Sequence, residues 1–359
     1  MSKPILIFSD PHYHDFSQFS TINEKGLNSR LADTLRATGE AYKALRAAGG
    51  VRAICAGDIF HVRGKVKPSV LNPTADLFHT LHYGAGYRTY AISGNHDLET
   101  DKSSALNSSI TALRNTGMSV WSDGPGSALI DAVSVTFVPW EPDLKKLRKY
   151  IAAEHPAHPG YPSALVLHAP LNGVIKGLPD HGLTPEDFKD CKYDKVFIGH
   201  YHNHKSFKVG DCEVISVGAL THQNFGDTEN KAGYLLWYPD TGVVEHHETP
   251  APKFVRVFAD DVEDIDPSAV QDNYVKVVDG YFDDPTEIQS IKDTMTLKGA
   301  KAVIVEGITK RPAVTRSSTA TTSTAPTIHS ILGDYVERTY PGDTDTLVEA
   351  LEILNEVYV

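Results

Sequence analysis

The sequence predicts an α/β protein, on three observations. Short β-rich apolar runs recur through the first 250 residues. Stretches with helical spacing of leucines lie between some of these runs. A cluster of polar, ligand-type residues follows each of five runs, as is typical of strand ends in layered α/β proteins. Strand–turn segments at 132–138 and 212–217 extend the pattern to a mixed core of two sheets.

Local composition predicts five strands and two helices in the first 200 residues. Apolar runs with β-branched residues, each ending near Gly or Ser, predict strands at 5–8, 51–56, 87–92, 164–167 and 195–198. Residues 29–48 predict a helix because Leu31, Leu35 and Leu45 lie among strong helix formers. Residues 69–83 predict a second helix, with Leu71, Leu77, Phe78 and Leu81 as its apolar positions.

The C-terminal third predicts separate units. Residues 251–311 predict a small α+β capping domain, with strands at 253–258, 274–278 and 301–305 and a helix at 286–298. Residues 312–327 are rich in Ser, Thr, Ala and Pro, which predicts a flexible linker. Residues 328–359 predict a short helical element that either docks on a partner or folds back on its own domain. The predicted domains are therefore 1–250, 251–311, the linker 312–327 and 328–359.

Composition excludes several classes of protein. Most of the net charge of −12 lies in residues 254–359, which carry 9 Lys and Arg against 19 Asp and Glu, so a basic nucleic-acid-binding domain is not expected there. No apolar run approaches the roughly 20 residues of a membrane span. The first ten residues predict a strand and are too short for a signal peptide. Three well-separated cysteines favour a reducing, cytoplasmic location over a disulfide scaffold or a cysteine zinc site.

The five polar clusters are the candidate site. They are Asp10 with His12, Asp58 with His61, Asn95 with His96 and Asp97, His168, and His200 with His202. Side chains at the carboxyl ends of adjacent strands converge on one crevice, so we expect these residues to meet. Each cluster alone is a weak signal, because a single such cluster is common at a surface turn. Five together need burial partners that strand ends do not otherwise supply.

The donor types indicate a metal centre. Aspartate, asparagine and histidine without cysteine suit Mn²⁺, Mg²⁺, Fe²⁺ or Zn²⁺. The seven candidate ligands are Asp10, His12, Asp58, Asn95, His168, His200 and His202. They exceed what one ion takes from protein and suit two ions about 3.5–4 Å apart, bridged by a carboxylate. We expect Asp58 to be the bridge. Asp97 is expected to orient a neighbour rather than to bind metal.

The motif set D-x-H, GD, GNH(D/E), H and GHxH resembles the calcineurin-like metallophosphoesterase superfamily over residues 4–220. The resemblance implies a two-sheet sandwich flanked by helices, with a dinuclear site. It implies two ligand groups: one metal would be held by Asp10, His12, Asp58 and His202, and the other by Asp58, Asn95, His168 and His200. It also implies that His96 is the catalytic histidine, which stabilises the transition state or protonates the leaving oxygen.

A narrower resemblance concerns the segment GDIFH and the basic loop after it. These are similar to the SbcD family of DNA double-strand-break repair nucleases and its tailed-phage relatives, as is the stretch YDKVFIGHYHNH. The resemblance implies that His61 helps to place the nucleic acid backbone. The loop residues Arg63, Lys65 and Lys67 would contact DNA; the alternative is an ordinary solvated loop. Two departures from the family, Tyr13-His14 and Val217-Gly218-Ala219, remove no ligand.

The resemblance also implies partners and an activity. Residues 328–359 would dock on the coiled coil of an SbcC-type ABC ATPase, and residues 69–83 are the candidate surface of a homodimer. The expected activity is that of a DNA nuclease, a 3′→5′ exonuclease on duplex ends and an endonuclease on single strands, with Mn²⁺ as the favoured ion. One alternative is a small-molecule phosphodiesterase acting, for example, on cyclic nucleotides, which gives residues 251–359 no role. The other is a binding scaffold without activity, against which the full ligand set argues.

Overall fold

Two mixed six-stranded sheets form the body of the protein. The computed structural model describes residues 3–100, 106–153, 156–282 and 284–307. In spatial order, the first sheet comprises β12 (Val243–Glu248), β11 (Gly233–Tyr238), β1 (Ile5–Phe8), β2 (Arg52–Cys55), β3 (Arg88–Ile92) and β4 (Ser119–Trp121). The second comprises β5 (Gly126–Ile130), β6 (Val133–Val138), β7 (Ser163–His168), β8 (Lys195–Gly199), β10 (Cys212–Ser216) and β9 (Lys205–Val209). The predicted two-sheet α/β sandwich is confirmed.

Parallel pairing occupies the centre of both sheets. Strands β1 to β4 run parallel to one another, as do β6, β7, β8 and β10. Antiparallel pairing is confined to the pairs formed by β11, β12, β5 and β9. Strands β1 and β7 are buried at every residue, because both faces of the sheets are covered there. The carboxyl ends of the parallel strands therefore open on the same side of each sheet.

The two faces of β1 contribute to different parts of the core. Ile5 and Ile7 join a cluster packed between the two sheets, where Phe197 and Trp237 also lie. Leu6 and Phe8 point the other way, into the layer of helices. This alternation follows from the two-residue period of a strand. The inter-sheet cluster holds the two sheets face to face and so fixes the distance between their edges.

Helices cover the outer faces. They are α1 (Ser29–Ala47) and α2 (Pro68–His79) on the first sheet, and α3 (Leu144–Ala153) with the second. Helix α1 begins at Asn28, whose side chain accepts hydrogen bonds from the N–H groups of Arg30 and Leu31 at 2.9 and 3.2 Å. Helix α2 begins with proline and continues into a π-helical turn at Thr80–Gly84. None of the helices in the described ranges is both long and apolar enough to span a bilayer.

A third sheet follows the sandwich. It consists of the parallel strands β13 (Phe254–Phe258), β14 (Tyr274–Gly280) and β15 (Ala302–Gly307), with α4 (Pro267–Val270) and α5 (Pro285–Leu297) between them. It packs on the sandwich through aromatic rings: Phe19 stacks on Tyr274 with centroids 5.3 Å apart. The Arg30 guanidinium lies over Phe254 and donates to the Gln223 carbonyl at 2.6 Å. The predicted linker 312–327 and the helical element 328–359 lie outside the described residues.

The inter-sheet cluster predicts a matched pair of isoleucine substitutions. Ile54→Ala removes a side chain that is 0% exposed between the sheets, and we expect a loss of about 2–5 kcal/mol in the free energy of unfolding. Ile22→Ala removes one that is 63% exposed and should change stability by no more than about 0.5 kcal/mol. Denaturant titration of both variants measures the difference. Equal losses would contradict the assignment of the core to this cluster.

Candidate metal centre

The candidate ligands lie where the two sheets end side by side. Asp10, Asp58 and Asn95 follow β1, β2 and β3 of the first sheet. His168 is the last residue of β7, and His200 follows β8 in the second sheet. Two hydrogen bonds join the sheets here: the His200 N–H donates to Asp10 Oδ2 at 3.1 Å, and His168 Nδ1–H donates to the Ala56 carbonyl at 2.8 Å. The parallel topology therefore brings residues from five separate parts of the chain to one edge.

The backbone turns sharply at this edge. Asp10, His12 and Asp58 have φ values of +50°, +45° and +52°, and His200 has +112°. Non-glycine residues in this region cost of order 1–3 kcal/mol each and cluster at functional sites. Gly57 has φ +107°, and a Cβ there would overlap the His168 ring. A side chain at position 57 would therefore displace a candidate ligand.

Two groups of donors form. In the first, one donor atom from each of Asp10, His12 and His202 lies within 4.8 Å of the others. In the second, Asp58, His168 and His200 are grouped by the same distance. Asp58 lies between the two groups. Its Oδ2 is 3.7 Å from Nε2 of His12 in the first group and 3.4 Å from Nε2 of His168 in the second. The carboxylate between the two groups is thus Asp58, the residue expected from the sequence to bridge two ions.

Asn95 completes the second group. Its Oδ1 lies 3.1 Å from His168 Nε2 and 3.2 Å from His200 Nδ1. An amide oxygen at this position faces two imidazole nitrogens at once. All seven predicted ligands are therefore brought together at one edge, in the two groups named from the sequence, with Asp58 between them.

A third histidine group adjoins the first. His12, His61 and His96 have nitrogens within 4.8 Å of one another. His96 Nδ1–H donates to the His61 carbonyl at 2.6 Å, and the two rings are stacked with centroids 5.5 Å apart. The hydrogen bond assigns the proton to Nδ1 and leaves Nε2 of neutral His96 as an acceptor. His96 is half-buried and His12 is buried, so His96 is the more accessible of the two.

Burial dominates the electrostatics of the centre. It lowers the pKa of His200 to about 3 and that of His61 to about 4. Burial and the neighbouring Asp58 raise the pKa of Asp10. Burial alone would also lower the pKa of His168, but the Asp58 carboxylate raises it to about 9. The buried carboxylates therefore favour positive charge at His168, whereas burial disfavours it at His200 and His61.

One atom tests whether the residues fit divalent metal ions. Asp10 Oδ1 is buried and finds no hydrogen-bond donor among the described residues, while His12 Nε2 lies 3.9 Å away. A buried carboxylate oxygen without a donor is costly unless a cation meets it. The remaining donors are carboxylate, amide and imidazole groups, which suit hard-to-borderline divalent ions. The residues present fit such ions.

Two further residues support the ligands, and one of them was predicted. Asp97 accepts hydrogen bonds from the N–H groups of Ile59, Phe60 and Gly94 at 3.2, 2.9 and 2.9 Å, so it ties the loop after β2 to the loop after β3. This confirms its expected orienting role. Asp227 was not predicted from the sequence; its Oδ1 is 3.0 Å from His202 Nδ1 and directs Nε2 toward the first group. No motif quoted from the sequence includes this residue.

Trp140, which was not predicted from the sequence, packs against two candidate ligands. It follows β6, and its ring lies 5.4 Å from the His200 ring and 6.0 Å from the His168 ring. Its backbone N–H donates to the Ser93 carbonyl, at the end of β3, at 2.9 Å. Trp140 therefore covers the second donor group from one side.

The basic loop borders the centre without entering it. Arg63, Lys65 and Lys67 are all exposed and follow His61 along the chain. Lys67 Nζ pairs with Asp15 Oδ2 at 3.0 Å. His61, which precedes the loop, contacts the centre: its ring centroid lies 5.2 Å from that of His12.

The fold and the donor set together define a metal-dependent hydrolase. A family model of the calcineurin-like phosphoesterase superfamily domain matches residues 4–241, and the chain belongs to that superfamily. The phosphoesterase fold of this superfamily uses a dinuclear metal centre, and the Asp and His groups here are the ones that could bind it.

Two solved structures that match the chain share little sequence with it. A novel archaeal phosphodiesterase is 14% identical, with a TM-score of 0.38, covering 68% of this chain and 99% of that one. A dimetal phosphatase from Danio rerio is 10% identical, with a TM-score of 0.42, covering 66% and 93%. A comparison with curated proteins finds no significant match.

The Asp227–His202 contact predicts an effect on metal affinity. Asp227→Asn weakens the orientation of His202, so we expect the affinity for Mn²⁺ to fall by about 10- to 100-fold while the fold is retained. Calorimetric titration of the chelator-stripped protein with Mn²⁺ measures the affinity, and circular dichroism checks the fold. The matched control is Asp211→Asn on the exposed turn between β9 and β10, which should bind as the wild type does. Unchanged affinity in Asp227→Asn would remove Asp227 from the centre.

Proposed function

We propose that the protein is a metal-dependent DNA nuclease that hydrolyses phosphodiester bonds, as a 3′→5′ exonuclease on duplex ends and an endonuclease on single strands. The proposal that the protein is a hydrolase rests on one observation. Seven metal-donor side chains from both sheets meet at one edge, and the buried Oδ1 of Asp10 among them has no hydrogen-bond donor in the described part of the chain. The superfamily supports phosphoester chemistry. The DNA specificity rests on His61, the basic loop and the resemblance of GDIFH to the SbcD family.

The proposed centre holds two divalent ions, with manganese as the favoured metal. Asp10, His12, Asp58 and His202 would hold one, and Asp58, Asn95, His168 and His200 the other, as the grouping of their donor atoms supports. Such a pair, when bound, would neutralise the phosphate charge and lower the pKa of the attacking water. The protein's own contribution is to fix these donors before the substrate arrives, through the two hydrogen bonds between the sheets.

His96 is proposed as the catalytic histidine. The His61 carbonyl holds its Nδ1–H, so the ring is fixed in orientation and Nε2 faces away from that bond. In the imidazolium form, Nε2 also carries a proton, which it can donate to a phosphate oxygen or to the leaving oxygen; this is the general-acid role of a histidine. His61 is proposed to act through its ring as well, by positioning the backbone of the nucleic acid beside His96.

The basic loop is proposed to hold DNA phosphates outside the centre. Arg63, Lys65 and Lys67 are exposed directly after His61, so a strand whose scissile phosphate lies at His96 passes next to them. The net charge of the chain is negative, and most of the excess acid lies in the C-terminal third. A cluster of three basic residues next to the centre therefore supports a contact with phosphate at this place. A small-molecule phosphodiesterase would use the same donors and leave this loop without a role.

Replacing His96 tests the mechanism. His96→Ala is expected to lower turnover of end-labelled duplex DNA by about 10²- to 10⁴-fold because the general acid is lost, with metal content unchanged. The assay is run in Mn²⁺, in Mg²⁺ and in chelator, with bis-p-nitrophenyl phosphate and a cyclic nucleotide as parallel substrates. The matched control is His247→Ala, a histidine whose side chain is 40% exposed on the edge strand β12, which should keep full activity.

The outcomes separate the candidate functions. DNA shortened from its ends, and lost both in chelator and in His96→Ala, supports the nuclease. Turnover of the small diesters with intact DNA supports the small-molecule phosphodiesterase. Equal behaviour of wild type and His96→Ala on all substrates would favour a binding scaffold.

The proposed partners rest on the sequence resemblance. Residues 328–359 would dock on the coiled coil of an SbcC-type ABC ATPase in the cytoplasm, and residues 69–83 would contribute to a homodimer. Deletion of 328–359 is expected to abolish co-purification with the ATPase and to spare cleavage of short DNA. Co-purification of an intact partner with the shortened chain would contradict the docking proposal, and loss of cleavage would show that the segment serves the nuclease itself.

A further inference from the structure

A cavity of about 250 Å³ lies directly beside the second donor group. Its walls come from the turn between β4 and β5, the end of β6 and the first turns of α3. Trp140 belongs to both places: it lines the cavity, and its ring packs 5.4 Å from the ring of His200. A group that enters the cavity therefore lies against a residue that also packs on a candidate metal ligand.

The walls suit a flat, uncharged ring. They include Pro125, Pro139 and Pro142, with Trp140, Leu147 and Tyr150 as the large apolar or aromatic members. Aromatic and proline surfaces favour a planar ring through stacking and burial of its faces. The size is that of a small-ligand site rather than a groove for a protein segment.

The charged groups at the cavity exclude a phosphate. They are the two carboxylates of Asp123 and Glu141 and the ammonium of Lys146. Lys146 is already paired with Glu141, so the balance is negative. Carboxylates repel a phosphate but accept hydrogen bonds from ring N–H and amino groups. A substrate with both parts would leave its phosphate at the metal centre and place its ring here.

Trp140 is held at a cost. Its Nε1–H is buried and has no acceptor among the described residues. A buried donor without a partner costs about 1–3 kcal/mol, which a phenylalanine at the same position would avoid. A ligand that stacks on the large ring face would give the indole a function at this position.

We propose that this cavity binds a nucleobase of the strand being cut, stacked on Trp140, and so positions the neighbouring phosphate at the metal centre. The proposal rests on the proposed function for its substrate class. It adds a base-binding subsite to a centre that otherwise contacts only phosphate. Stacking of this kind is tolerant of sequence because every base has a π-face, so the subsite favours the presence of a base over its identity.

The kinetic test compares end-labelled DNA with the same DNA carrying single abasic positions near its 3′ end. The wild type should cleave the intact strand about 10- to 100-fold more efficiently, in kcat/KM, at the phosphate whose base would occupy the cavity. Trp140→Leu should lose that preference, so that its kcat/KM values on the intact and the abasic strand become equal. An equal rate on both substrates in the wild type, or a preference that survives Trp140→Leu, would overturn the subsite.

Two controls guard against damage to the centre. Metal content and melting temperature are measured for each variant. Trp140→Phe should melt at or above the wild-type temperature, because it removes the unpaired N–H, and should retain only part of the preference. Tyr150→Leu, in α3 on another wall, should also weaken the preference and leave the His200 side untouched. Normal preference in both variants would contradict the assignment.

A binding measurement separates this proposal from the nuclease itself. Deoxyadenosine monophosphate should quench tryptophan fluorescence in the wild type and in Trp121→Phe, but not in Trp140→Phe; deoxyribose 5-phosphate should quench none of them. If the protein hydrolyses bis-p-nitrophenyl phosphate and no DNA, the nuclease proposal fails while this titration still decides the cavity. Absence of quenching by the nucleotide in the wild type would overturn the subsite independently of any cleavage.

Discussion

Two carboxylates buried side by side are the constraint on which the rest of the site depends. Asp10 and Asp58 are 0% and 1% exposed, and each raises the cost of charge on the other. Such a pair is stable only among groups that compensate negative charge. The surrounding imidazoles and the backbone N–H groups of His96 and His200 supply part of this compensation. The positive-φ turns at both aspartates and the glycines beside them are the structural means of bringing these groups so close.

The fold and the meeting of the ligands could be predicted because one rule governs both. Apolar runs of a parallel sheet end at a common edge, so polar residues directly after each run must meet there. Asp10, Asp58 and Asn95 obey this rule in one sheet, and His168 and His200 in the other. The rule needs only the position of a residue relative to its own strand. It therefore worked without knowledge of the distance between the sheets.

Residues outside this rule were not predictable. Asp227 comes from a 3₁₀ turn between β10 and β11, and its contact with His202 depends on the path of a loop that has no periodic pattern. Trp140 follows the carboxyl end of β6, which pairs in parallel with β7, but it is not a polar residue, so a rule about polar residues did not select it. Strand β12 reads VVEHHE and is partly exposed along its length, so it lacks the apolar run by which the inner strands were found. Tertiary contacts, not local propensity, place all three.

The bond from the His200 N–H to Asp10 Oδ2 joins residues 190 positions apart along the chain. Contacts of such long sequence separation form only after the intervening chain has been ordered, because closing a long loop loses entropy before the contact stabilises it. The donor set can therefore be completed only after both sheets have formed and packed on each other. During synthesis, Asp10 emerges long before His200 and stays without its partners. Metal binding by all seven donors is thus expected late in folding, because no single segment of the sandwich carries all of them.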